Sequence, residues 1–153
     1  MKLKVMVLTL AVFFAGVVVY AADDPNMGTW KLNEAKSKFS PGSSKNQTVV
    51  YAAAGDMVKV TVDGDGNGQP THNEWTGKFD GKYYAVTGDP TSDMRSYGRV
   101  NPHTLALKAK KGRKVVLTGL ITVSRDGKTR TVVTNGTDAK GKRFHNTAVY
   151  DKQ

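Results

Sequence analysis

Apolar and polar positions beyond the first twenty residues never keep the i, i+3, i+4, i+7 spacing of a helix. Short runs rich in Val, Thr and Tyr alternate instead with Gly, Asp, Asn and Pro at intervals of about 8 to 12 residues. This rhythm predicts ten strands, over 28–32, 46–54, 57–63, 71–79, 82–87, 93–100, 104–110, 114–124, 129–136 and 143–151. Tight turns such as Ala54-Gly55-Asp56, Phe79-Asp80-Gly81-Lys82, Lys111-Gly112-Arg113 and Asp126-Gly127-Lys128 join them, so consecutive strands pair antiparallel in a meander. The five prolines lie outside these strands or at a first residue, where no ladder N–H is needed. The one long connection, 33–45, has room for a single helical turn before Pro41.

The faces of the strands choose between a sandwich and a barrel. In 114–124 the odd positions are Val115, Leu117, Gly119, Ile121 and Val123, and in 57–63 the even positions are Val58, Val60 and Val62. Elsewhere the faces are mixed. Asn73 lies beside Trp75 and Phe79, and Arg95, Tyr97 and Arg99 share a face in 93–100. A solid two-sheet core tolerates few such polar insertions, whereas a barrel of about ten strands is wide enough to enclose a part-polar cavity. The expected fold is therefore all-β, an up-and-down antiparallel β-barrel of about ten strands.

The start of the chain reads differently. Lys2 and Lys4 precede an almost unbroken apolar run from Val5 to Val19, and Val19-Tyr20-Ala21 has the small-x-small character of a signal-peptidase site. The run is shorter than the roughly 20 residues of a spanning helix, so 1–21 is expected to be a cleavable signal peptide and 22–153 the barrel domain. Secretion or a periplasmic location follows from that expectation.

Composition narrows the chemistry. The chain has 153 residues and no Cys, which excludes a disulfide framework, a thiolate metal site, a cysteine nucleophile and a lipidated cysteine. Of its 23 Lys and Arg, removal of Lys2 and Lys4 leaves 21 against 13 Asp and Glu, a formal net charge of +8. For an exported protein, this charge points to anionic small molecules or an anionic membrane surface as partners rather than nucleic acid.

Several motifs bear on function. Asp63, Asp65 and Asn67, with Glu74 at position 12 and Gly at position 6, match the twelve-residue calcium-loop pattern. The flanks read as strands rather than the helices of an EF-hand, so an open hairpin tip is the expected reading, with Glu74 pointing outward. His72, His103 and His145 fall on different elements without metal-ligand spacing. No Gly-x-Ser-x-Gly elbow, phosphate loop or dinucleotide fingerprint occurs, so no cofactor is expected and an enzyme is the lesser reading. Tyr97, Arg99 and Tyr150 could serve acid-base chemistry inside such a barrel. An outer-membrane barrel would need strands of about 9 to 11 residues with a continuous apolar outer face, and several runs here are shorter and carry Lys or Arg outward.

Met27-Gly28-Thr29-Trp30-Lys31-Leu32 resembles the first strand of the calycins, the lipocalins and fatty-acid-binding proteins, whose Gly-x-Trp sits at the closed end of the barrel. Asn146-Thr147-Ala148-Val149-Tyr150-Asp151-Lys152 is similar to the last strand of fatty-acid-binding proteins, where an Arg and a Tyr two residues apart face inward and hold a carboxylate. Tyr150 matches the Tyr, while Ala148 stands at the Arg position. The 33–45 connection is too short for that family's helix-turn-helix lid. The pattern as a whole most resembles small secreted bacterial lipocalin-like proteins. The expected function is an exported, monomeric binding protein for a small, partly apolar and anionic molecule held inside the barrel by Trp75, Tyr97, Arg99 and Tyr150. The alternative is a structural or surface-interaction barrel with a filled interior. A basic rim at the end that gathers 33–45, 64–70, 88–92, 111–113 and 138–142 is the expected point of ligand entry or membrane contact.

Overall fold

The computed structural model describes residues 23–153, so the signal-peptide reading of 1–21 lies outside the described residues. Ten strands form one closed antiparallel barrel: β1 Gly28–Leu32, β2 Lys45–Ala54, β3 Met57–Gly66, β4 Gln69–Gly77, β5 Asp80–Thr87, β6 Met94–Asn101, β7 Thr104–Lys111, β8 Lys114–Val123, β9 Thr129–Thr137 and β10 Arg143–Lys152. Each strand pairs with its neighbours in sequence, and β1 closes the ring against β10. The up-and-down barrel expected from the alternation is the fold observed.

The largest departure from the expected boundaries is at the β3–β4 hairpin. Both strands run further than predicted toward its tip, and Asn67-Gly68 alone makes the turn, both residues at positive φ (56° and 76°) as a type I′ turn requires. The 63–74 segment is therefore two paired strands, with Asp63 opposite His72 and Asp65 opposite Pro70, rather than an open loop.

The first strand is broken. After Leu32 the chain makes one 3₁₀ turn, Glu34–Lys36, whose cap Asn33 accepts the Lys36 N–H on its side chain. The backbone then returns to β10, where Lys38 and Thr147 exchange both N–H···O bonds (2.7 and 2.8 Å). Ser37 Oγ accepts the Val149 N–H. Together β1 and 37–40 cover an edge of β10 that five residues alone would leave open. The single turn expected before Pro41 is this one.

Alternate connections lie at opposite ends. The end holding the turns 55–56, 78–79, 102–103 and 124–128 is stopped by the N-terminal segment, where Asn26 is buried and its carbonyl accepts the Trp30 indole N–H at 2.8 Å. We call this the closed end. The open end carries 33–44 and the turns 67–68, 88–93, 112–113 and 138–142.

One seam of the ring differs from the rest. β4 and β5 share only two register pairs, Glu74 with Thr87 and Trp75 with Val86. Beyond them side chains fill the seam: the Trp75 and Tyr84 rings meet edge to face at 5.7 Å, and the Trp75 indole N–H reaches the Arg95 carbonyl at 3.0 Å. Gly77 is required here, because a Cβ would stand 2.5 Å from the Trp75 ring and 2.6 Å from Tyr84.

Candidate ligand site

The interior is built from one face of each strand, and its two halves differ. Toward the closed end Trp30, Tyr51, Trp75, Tyr97, Leu105, Ile121 and Tyr150 are buried as one cluster. Trp75 and Tyr97 meet edge to face at 4.7 Å, and Tyr51 packs against Tyr97 at 6.2 Å. Leu107 and Val132 pack against this cluster partly buried, and toward the open end the inward Leu117 and Phe144 are only half-buried as well.

Within the closed half sits a cation that the sequence reading did not single out. Arg130, on β9, is 3% exposed, and its guanidinium carbon lies 4.8 Å from the Tyr51 ring centre, 5.2 Å from Tyr150 and 5.7 Å from Trp30. Its Nε and Nη1 have no hydrogen-bond partner, nor has the Tyr51 hydroxyl. Three ring faces offset part of the desolvation of such a charge, by up to about 2 kcal/mol for a dehydrated cation–π contact, but they accept no conventional hydrogen bond. Burial pushes the Tyr150 phenol up to about 12, with the Arg130 charge pulling against it. Burial likewise raises Tyr51. Both phenols are therefore neutral hydroxyls at physiological pH, able to donate to an anion.

Arg130 was hidden because β9 has two equally mixed faces, Thr129, Thr131, Val133 and Asn135 against Arg130, Val132, Thr134 and Gly136. The signal that finds it is the hairpin. Val123 belongs to the inward face of β8, and Arg130 is its partner across the 124–129 turn. Arg130 is also the register partner of Tyr150 on β10. A cation thus stands beside Tyr150 on the neighbouring strand, while Ala148 on β10 carries none.

Of the residues expected to meet a ligand, Trp75, Tyr97 and Tyr150 lie in the interior, while Arg99 does not join them. By residue 99 the strand has reached the closed end, where the Arg99 side chain is 34% exposed, lies 5.2 Å over the Phe79 ring and pairs with Asp24 of the N-terminal segment. The Tyr97, Arg99 and Tyr150 grouping considered for acid-base work is accordingly divided.

The open half carries the barrel's polar equipment. Arg95 pairs with Asp89 at 3.1 Å, both largely buried (side chains 11% and 14% exposed), and Ser92 and Thr91 donate to the same carboxylate. Burial works to raise the Asp89 pKa, but these hydrogen bonds and the Arg95 charge outweigh it and hold it below the ordinary value. Asn146 is buried and accepts the Ser40 N–H (2.8 Å) and Ser43 hydroxyl (3.1 Å), tying the 33–44 connection to the rim. Two clefts open at this end. One, of about 630 Å³, is bounded by Ser40, Val115, Leu117, Gly136, Arg143 and Phe144; the other, of about 500 Å³, lies between Thr71 and Asp89 at the β4–β5 seam. Neither is lined by Trp75, Tyr97, Arg99 or Tyr150.

The calcium-pattern residues are laid out along the β3–β4 ladder. Asp63 contacts His72 Nδ1 at 2.6 Å, Asp65 accepts the Gly68 N–H, and Glu74 contacts Lys59 at 3.0 Å and His72 Nε2 at 3.5 Å. Among the described residues, no three His, Cys, Asp or Glu side chains converge as a metal site. No family model matches the chain, and no curated protein sequence matches it.

Proposed function

We propose that the protein is an exported, lipocalin-like or fatty-acid-binding-protein-like carrier of a small amphiphile with an anionic head. The observation that carries this reading is Arg130. A guanidinium so deeply buried with two of its nitrogens unpaired is costly, and a carboxylate or phosphate would supply the missing acceptors in charge-assisted bonds. Tyr51 and Tyr150 flank it as neutral donors. An apolar tail would extend toward the half-buried Leu107, Val132, Leu117 and Phe144. The position of Gly28 and Trp30 at the closed end of a ten-strand barrel supports the calycin resemblance. The close packing of the closed half favours a second reading, a barrel with a filled interior, in which ring stacking alone holds Arg130.

Displacement of a fluorescent anionic fatty-acid analogue and of its neutral alcohol separates the two. Arg130→Gln should weaken the anionic probe by roughly 10- to 100-fold and change the neutral one little, since a hydrogen bond to a charged group is worth about 1.5–3 kcal/mol. Equal loss of both probes, or no saturable uptake of either by the unaltered protein, would leave the filled barrel standing.

A further inference from the structure

Two hairpin turns at the open end, 112–113 between β7 and β8 and 138–142 between β9 and β10, hold, with the strand ends that flank them, Lys111, Arg113, Lys114, Lys140, Lys142 and Arg143. All six are exposed, and none takes part in an ion pair, whereas Lys45, Lys59, Lys78, Arg95 and Arg99 each have a carboxylate. The acidic residues beside them serve the backbone. Asp93 accepts the Gly112 N–H at 2.9 Å, and Asp138 accepts those of Lys140 and Lys142 at 2.9 and 2.8 Å. These bonds fix the shape of both turns and turn the lysine side chains loose to solvent.

The same hairpins flank the 630 Å³ cleft. β8 and β9 pair only from Leu117 and Gly136 inward, so their outer ends part, and Phe144 fills the gap beside Gly136, where a Cβ would stand 2.5 Å from its ring. Val115, 43% exposed, stands among the cations at the lip of this opening.

We propose that this end of the barrel docks on an anionic phospholipid bilayer, with the basic hairpins against the headgroups, Val115 at the interface and the cleft facing the membrane. Four of the six cations are lysines, compact point charges suited to a diffuse anionic surface rather than to the planar, bidentate recognition that arginine gives. Two neighbouring turns present these exposed cations together at one end of the barrel, where a planar anionic surface can meet them at once. A nucleic acid would call for a groove with exposed stacking rings, and the ring at this cleft, Phe144, is turned against Gly136. Docking is read without any ligand, so its failure and that of the carrier reading are distinguishable.

The experiment is co-sedimentation of the protein, as its own cell processes it, with vesicles of phosphatidylcholine alone or with about one part in four phosphatidylglycerol. Binding is expected only to the anionic vesicles at low salt, weakening on the order of tenfold or more as the Debye length shrinks to about 3 Å in molar salt. Reversal of Lys111, Arg113, Lys140 and Lys142 to Glu should lower partition on the order of 100-fold, given the attraction of each juxtamembrane cation. Reversal of Lys31, Lys82, Arg125 and Lys128, which makes the same change in net charge away from this face, should cost much less. Both sets are exposed residues and both variants keep the same N-terminal segment, so folding, checked by near-ultraviolet dichroism, and any effect of that segment are common to the two. Equal losses from the two sets, no binding to anionic vesicles, or release of the protein from them by an equal charge of duplex DNA would each overturn the proposal.

Discussion

Trp30, Trp75, Tyr97, Leu105 and Ile121 fill the closed half of the barrel without leaving a side chain in water, whereas Leu117 and Phe144, on the same inward faces nearer the open end, are only partly buried. Apolar residues line the inward face in both halves, around Arg130 in one and Arg95 and Asn146 in the other. The difference lies in size: large rings from opposite walls meet in the closed half, while Gly119, Gly136 and Ala109 stand among the inward positions of the open half and cannot reach across. A barrel of fixed strand number has a nearly fixed width, so the choice between core and lumen falls to side-chain volume.

The sharpest way to break this comparison is truncation. Trp30→Ala and Trp75→Ala should each cost about 3–5 kcal/mol in urea unfolding, the range for deleting a buried aromatic from a packed core. Leu117→Ala should cost less, about 1 kcal/mol, since its side chain is only partly buried. Similar costs at the two sites would mean that the open half is packed as core too.

A smaller effect tests what holds the open half. Asp89→Asn should cost about 1–3 kcal/mol at neutral pH by leaving Arg95 buried without its anion. Because the folded-state pKa of Asp89 lies below its ordinary 3.8, its contribution is complete above that value and is lost as pH falls through the folded one. The stability difference between the two proteins should therefore begin to shrink only below about pH 4; a difference unchanged down to the lowest pH would show that the carboxylate charge is unimportant there.

The smallest effect lies on the outer wall. The hydrogen bond to Asp63, then its charge and that of Glu74, raise the His72 pKa above 6.5. Whatever stability this exposed ladder adds is complete below the ordinary value and fades as pH rises through the folded one. In an NMR titration Asp63→Asn should bring the His72 midpoint down, and an unmoved midpoint would mean that the contact is absent in solution.

The ten strands were legible because β-branched runs and glycine turns are local signals, read within a few residues. The inward face was less so. Tyr97 could be placed by alternation and Tyr150 by the likeness of the last strand to that of fatty-acid-binding proteins, but Arg130 lies on a strand whose two faces look alike, and only its register against Val123 turns it inward. Arg99 shares the parity of Tyr97, yet parity says nothing of depth, and its neighbours Phe79 and Asp24 come from elsewhere in the chain. The spacing of Asp63, Asp65, Asn67 and Glu74 matched a loop, while Asn67-Gly68 carried the stronger hairpin signal that the structure obeys.

The seam between β4 and β5 bears on how copies of this protein behave toward one another. A ring of strands has no edge, which is the surest protection against adding further strands from a neighbour. Here the ring is completed at one place by the rings of Trp75 and Tyr84 over Gly77 and by only two backbone pairs. Were those aromatics to let go, the backbone N–H and carbonyl groups of both strands beyond the pairs would become two free edges on one molecule, each a template for the other on the next. Colloidal behaviour and tertiary packing thus meet at these rings, whose loss would turn a closed barrel into a unit of a growing sheet.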